Sequence, residues 1–121
     1  MQKFTEPRHR GEHVISEANG SLSREEGVLV TGQNLVVGTV LGKITASGSY
    51  TAFNQDASDG SQVAAGVLYG AVDASTEDKP CVVHVRSCEL MAQALTWPAD
   101  ITGPEQLQAQ SEMAALDIIL R

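Results

Sequence analysis

The stretch LVVGTVLGKI, residues 35–44, decides the fold of this chain. Its glycines, at positions 38 and 42, recur at a four-residue spacing that can form a small-residue packing face on a helix. The residues on both sides of Gly38 are Val36, Val37, Thr39 and Val40, whose β-branched side chains disfavour helices and favour strands. The stretch therefore predicts β-structure in which the glycines mark bends or close backbone approach.

Other apolar runs of the same kind lie on both sides of this stretch. They are GVLV at 27–30, AAGVLYGAVDA at 64–74 and CVVHVRSCELM at 81–91. Short runs rich in valine and leucine and bounded by turn residues are typical of strands in a compact sheet or barrel. A polar connection over residues 45–62 contains Asp59-Gly60, a signal for a tight turn, because glycine supplies the positive φ that such turns need.

The end of the chain predicts a short helix followed by a strand. Thr102 or Gly103 suits the N-cap, Pro104 the first helical position and Glu105 the positive end of the helix dipole. Apolar and neutral residues at helical spacing extend this helix to about residue 114: Leu107, Gln110, Met113 and Ala114. The alternation over residues 116–121 indicates a terminal strand. The predicted fold is therefore mainly β with one short α-helix (α+β), in a compact body spanning residues 28–121.

Residues 1–27 differ from this body in composition. The segment is polar, nearly neutral and poor in apolar residues, so it cannot bury enough surface to offset its ordering entropy. We predict a flexible N-terminal arm in the free protein. Within it, His13-Val14-Ile15-Ser16 has strand-forming residues and could pair with an exposed sheet edge. The alternative is a disordered tail without a role.

Charge and aromatic content limit the classes of partner. The net charge of -7 and the pI near 4.7 argue against nucleic acid and against an anionic membrane surface. No apolar run approaches the roughly 20 residues of a membrane span, so we expect a soluble protein made in the cytoplasm. Aromatic residues are only 4% of the chain, which suggests that part of the apolar surface is buried against copies of the same chain.

The search for chemistry is largely negative. Cys81 and Cys88 are seven residues apart, which on one strand places them on opposite faces, so we predict two free, buried thiols. A metal site of these cysteines with His84 would rest on a single CxxH, without the paired spacing of zinc sites. No nucleophile elbow, phosphate loop or dinucleotide fingerprint is present. We predict no enzymatic activity, no cofactor and no bound metal.

Four pieces of sequence in a fixed order carry a family resemblance. They are GTVLGK at 38–43, DGSQVAAGVL at 59–68, VDAS at 72–75 and the pair Trp97-Pro98. Their order and spacing over residues 28–121 resemble the lambda-type head-decoration proteins of tailed phages. The resemblance implies a β-clip-like body that forms homotrimers on the outer surface of the virion capsid, at threefold sites of the expanded shell. It also implies stabilisation against the pressure of packaged DNA, after assembly in the host cytoplasm.

The resemblance further implies that the N-terminal arm binds the major capsid protein by adding a strand to it. The expected pairing segment is Arg8, His9, Arg10, Glu12, His13, Val14, Ile15 and Ser16. In this hypothesis Val14 and Ile15 are apolar anchors, and Arg8 and Arg10 meet carboxylates of the shell. We also assign a structural role to Trp97-Pro98 and predict a cis peptide bond there, because X-Pro bonds alone adopt cis at low cost.

A binding module of another class is the alternative. A glycine-bounded β-body also suits a small-ligand or carbohydrate-binding β-clip domain, or a lipoyl-like carrier. The carrier requires a lysine at a hairpin tip, and neither Lys43 at the end of an apolar strand nor Lys79 before a proline has that context.

Overall fold

A closed five-stranded β-barrel forms the centre of the computed structural model, which describes residues 9–121. The described residues contain β1 (Val14–Glu17), β2 (Arg24–Leu29), β3 (Gln33–Leu35), β4 (Val40–Lys43), β5 (Tyr50–Ala52), β6 (Ala64–Leu68), β7 (Val72–Ala74), β8 (Lys79–His84), β9 (Cys88–Leu90), α1 (Gly103–Ala115) and β10 (Ile118–Leu120). The barrel has the order β2-β5-β4-β6-β8. This architecture confirms the predicted mainly-β fold with one α-helix.

The deciding stretch contains the last residue of β3, a tight bend over residues 36–39 and the whole of β4. Gly38 has a φ of 85°, and the hydroxyl of Thr39 donates a hydrogen bond of 2.8 Å to the carbonyl of Val36. The chain therefore turns between β3 and β4, and β3 leaves the barrel to pair with β7. At Gly42 a β-carbon would collide with the backbone of Ser61, so only glycine fits there. Both glycines thus have the predicted roles, one as a bend and one as a close approach.

Two apolar clusters lie inside the molecule. One fills the barrel and includes Leu29, Leu41, Leu68 and Val83, none of which is exposed. The other lies where α1 and a three-stranded sheet of order β1-β9-β10 pack against the barrel, and it includes Val67, Leu90, Met113 and Ile118. In this sheet β9 pairs antiparallel with β1 and parallel with β10. The two clusters separate the body into a barrel and a flanking layer.

The helix confirms the expected start, and the structure identifies its buried face, which the sequence analysis did not assign. Thr102 is the N-cap and forms a capping box with Glu105, and Pro104 lies in the first turn. Ala109 and Met113 are the buried residues of α1, whereas Leu107 is 65% exposed. A spacing of three or four residues fits more than one stripe of the helix, so it did not identify the buried one. No helix within residues 9–121 is long and apolar enough to cross a membrane.

The N-terminal region is where the structure departs most from the sequence interpretation. Residues 14–17 form β1, and the boundary predicted after Gly27 falls inside β2. Strand β2 pairs with β8 along its whole length, and this backbone ladder needs no apolar side chains on the outer face. A composition argument could not detect it. The mobility of residues 1–27 in the free protein stays a prediction.

The Trp97-Pro98 bond is trans, so the predicted cis bond is wrong. The chain is extended as it enters this pair, with Thr96 bridged to Thr39, and a trans bond continues that path. The ring of Trp97 packs edge-on against Phe53, with 6.2 Å between the ring centroids. The predicted structural role of the pair stays a prediction.

Both cysteines are free and buried, as predicted. They lie on different strands because the run CVVHVRSC turns at Ser87, whose φ is 53°. Cys81 belongs to the barrel cluster and Cys88 to the cluster under α1. Burial raises the pKa of both thiols, that of Cys88 to about 11, which keeps the unreactive protonated form.

A buried and an exposed residue of α1 allow a matched test of how the helix packs against the core. Met113→Ala removes a side chain that is 0% exposed, and we expect it to lower the free energy of unfolding by about 2–5 kcal/mol. Gln108→Ala, at an exposed position of the same helix, should change it by less than about 0.5 kcal/mol. Urea unfolding followed by circular dichroism measures both values. Equal losses would contradict the packing of α1 described above.

Candidate functional site

Residues 9–23 form a strap that crosses one end of the barrel, and we call them the N-terminal strap. Backbone hydrogen bonds fasten it at three points. The amide of Gly11 donates to the carbonyl of Tyr69 at 3.0 Å, the amide of Met91 to the carbonyl of His13 at 2.7 Å, and the amide of Val85 to the carbonyl of Ser23 at 2.9 Å. The strap therefore contacts β9 and the ends of β6 and β8.

The carboxylate of Glu17 links this strap to the barrel. It accepts a hydrogen bond of 3.1 Å from Nε of Arg24, and the same oxygen lies 2.6 Å from Nε2 of His84. Its other oxygen accepts from Nη2 of Arg24. The hydrogen bond from Arg24, supported by that with His84, lowers the pKa of Glu17 to about 2 against the opposing effect of burial.

Aromatic contacts surround the buried side of this ion pair. The ring of His84 is 0% exposed and meets His13 and Tyr69 edge-on, at centroid distances of 5.8 and 5.4 Å. The guanidinium of Arg24 lies 4.0 Å above the ring of Tyr69, which is cation–π geometry. Together these residues form one polar cluster, which we call the strap cluster: His13, Glu17, Arg24, Tyr69 and His84.

The structure divides the predicted pairing segment into inward and outward residues. Arg8 lies outside the described residues. His9, Arg10 and Glu12 are exposed at the start of the strap, whereas His13 is only 1% exposed. Val14 packs against the cluster under α1, so of the two predicted anchors only Ile15, which is 49% exposed, faces outward. Ser16 is also exposed, and its hydroxyl donates to Glu89 at 2.8 Å.

A β-bulge explains why two consecutive residues of β1 face outward. Val14 pairs with Leu90 and Ser16 with Glu89, which leaves Ile15 as an extra residue in the ladder. Strand β1 is the first member of the β1-β9-β10 sheet, and no strand within residues 9–121 pairs with its outer edge. The backbone groups along this edge are arranged to accept another strand.

Sequence reasoning missed most of the strap cluster. Glu17 and Arg24 lie seven residues apart in a segment interpreted as an arm, and no spacing rule connects them to Tyr69 or His84. The one residue whose position in the sequence pointed to a buried polar cluster was His84. A histidine between valines in a strand must find a polar partner if it is buried, but the sequence does not identify that partner.

The lysines do not supply a carrier site. Lys43 ends β4, and its amine lies 5.5 Å from the centroid of the Tyr50 ring, while Lys79 begins β8 and its amine lies 2.8 Å from the carboxylate of Glu77. Neither lies at the tip of a hairpin. No group of three or more His, Cys, Asp or Glu side chains in the described range is arranged to hold a metal ion.

A small β-barrel domain with an exposed strand edge is the class of protein that this geometry defines. The family model described as Bacteriophage lambda head decoration protein D matches residues 3–118. The chain therefore belongs to this family of phage head decoration proteins, which confirms the resemblance found in the sequence. No curated protein matches the chain. The family consists of structural components of the phage capsid and is not a known family of enzymes.

The low pKa of Glu17 gives a prediction for stability against pH. A carboxyl whose native pKa is lowered stabilises the fold above its unfolded pKa and loses this effect as the pH falls towards the native pKa. We expect Glu17→Gln to lower the free energy of unfolding by about 1–2 kcal/mol at neutral pH. The difference from wild type should shrink between pH 4.5 and about 2.

Urea unfolding at a series of pH values measures this difference. Glu89→Gln is the matched control, because Glu89 pairs with Arg121 at 2.6 Å but on the surface, where Arg121 is 63% exposed. Its effect should be smaller. A loss for Glu17→Gln that does not change with pH would contradict the assigned role of this carboxylate.

Proposed function

We propose that this chain is a trimeric decoration protein that binds the outside of the expanded phage capsid at threefold sites and stabilises the shell against the pressure of packaged DNA. The observation that carries the proposal is the family match over residues 3–118. A phage head decoration protein is a structural component located at the capsid. The trimer, the threefold position and the outer surface are the finer parts of the proposal.

The free edge of β1 supports the proposed contact with the major capsid protein. A strand of the shell that pairs along Val14–Glu17 would form main-chain hydrogen bonds, while Ile15 and Ser16 would meet its side chains. In this proposal residues 1–27 are the capsid-binding arm, and the N-terminal strap is its described part. The strap then presents a strand that is already formed, which lowers the ordering cost of binding.

Charge supports a second part of this contact. Arg10 is exposed, and no acidic side chain within residues 9–121 forms a salt bridge with it. It is thus available for a carboxylate of the shell, as the sequence hypothesis requires. Arg24 is different, because Glu17 already neutralises it. The proposal therefore assigns shell recognition to Arg10 and internal fastening to Arg24.

A trimer would multiply these weak contacts. When one strap has docked, the other two are held near their own sites at a high effective concentration. Overall binding then exceeds the affinity of one strap without any new kind of contact. This gain in binding strength requires straps that face the same way, as the straps of three copies around a threefold axis do.

Co-sedimentation tests the proposed function directly. We expect the protein to pellet with expanded capsids of its phage and to stay in the supernatant with unexpanded procapsids. Expanded capsids that carry it should also retain packaged DNA at higher temperature than bare ones. Equal binding to both shells, or to neither, would refute the proposal.

A matched pair of variants tests the role of the β1 edge. Ile15→Asp adds a charge at the centre of the proposed pairing segment and should lower binding to expanded capsids at least tenfold. Val36→Asp adds the same charge at a residue of similar exposure, 51%, that lies outside the capsid-binding arm, and it should bind as wild type does. Neither side chain is buried, so both variants should fold, which circular dichroism checks. Equal binding by the two variants would refute the assignment of β1.

A further inference from the structure

A groove lies between the barrel and the C-terminal end of α1. Its volume is about 1070 Å³ including the space open to solvent, and its walls include Tyr50, Val85 and Ala115. Two large apolar side chains stand at its surface, Val63 with 47% and Leu116 with 40% exposure. We call this site the α1 groove.

The charges of the α1 groove cancel. Its lining contains two cationic and two acidic side chains: Lys43, Arg86, Glu25 and Asp117. Arg86 and Glu25 form a salt bridge of 2.9 Å, the amine of Lys43 faces the ring of Tyr50, and Asp117 accepts a hydrogen bond of 3.4 Å from Ser87. The groove is therefore neutral in a chain whose net charge is -7.

An uncharged face of α1 continues this neutral surface. Leu107, Ser111 and Ala114 are exposed at a helical spacing that places them on one side of the helix. The helix has two acidic residues, and both are engaged within the chain: Glu105 accepts from the amide of Thr102 at 2.9 Å, and Glu112 from the amide of Ala64 at 3.0 Å. Solvent-exposed helix faces usually carry charge, so this face is adapted to another environment.

We infer that the α1 groove and the adjoining face of α1 form the contact between copies of this chain. Two molecules that each carry a charge of -7 repel, and a neutral face is where they can approach at the lowest electrostatic cost. Interface centres are depleted of charged residues and contain apolar anchors, as Val63 and Leu116 are here. The inference rests on the self-association in the proposed function and assigns a surface to it.

Two substitutions of the same kind at different places test this assignment. Val63→Glu places a carboxylate in the α1 groove, and we expect it to raise the dissociation constant of the assembly at least tenfold. Val36→Glu adds the same charge at a valine of similar exposure, 51%, which lines a different cleft beside Trp97. It should leave the assembly unchanged. Light scattering coupled to size exclusion over a range of concentrations gives the masses, and thermal unfolding shows that both variants are folded.

The outcomes separate this inference from the function on which it rests. A lower mass for Val63→Glu alone supports the inference. If wild type and both variants assemble alike, the assigned surface is wrong while self-association stands. If Val63→Glu assembles normally but no longer binds expanded capsids, the groove faces the shell and the inference is overturned. If the wild-type protein is monomeric at every concentration, both the proposed trimer and the assigned contact surface are refuted.

Discussion

The ladder between β2 and β8 is the constraint on which the rest of the structure depends. It pairs six residues in continuous register, from Arg24 opposite His84 to Leu29 opposite Lys79. This ladder joins the first and last strands of the barrel order and so closes the barrel, and its register places Arg24 opposite His84. Since a shift of one residue would turn every side chain to the opposite face, the same ladder fixes both the barrel interior and the partners of Glu17. The position of the strap follows from it.

The barrel and the strap are held by different forces. Barrel residues such as Leu41 and Leu68 are fully buried among apolar neighbours, whereas the strap contributes only Val14 to an apolar cluster and otherwise relies on backbone hydrogen bonds and the carboxylate of Glu17. Elements with few buried apolar contacts open at lower free energy than the core does. We therefore expect the strap to open at a lower free energy than the barrel does.

The sequence predicted elements better than it predicted their connections. Gly-bounded valine runs identified the strand regions, and Thr102, Pro104 and Glu105 identified the start of α1, because these signals are local. The glycine at position 38 indicated the bend that the structure has there, whereas the turn at Ser87 inside the run CVVHVRSC depends on which strands pair and was not visible. For the candidate site, the assignment of the pairing segment to capsid binding stays a prediction, whereas the inward direction of Val14 and the contact of Glu17 with His84 depend on partner strands more than sixty residues away. Such pairings are set by the tertiary fold and leave no mark in the local pattern.

The bulge at Ile15 has a consequence for how this surface can change over time. It shifts the alternation of β1, so that Val14 and Glu17 hold the molecule together while the two residues between them face outward. Mutations at those two positions can accumulate at little cost to folding, because neither side chain belongs to the core. With the shell contact proposed for β1, the outward pair can adapt to sequence changes in the shell, since its adaptation is uncoupled from the residues that secure the strap.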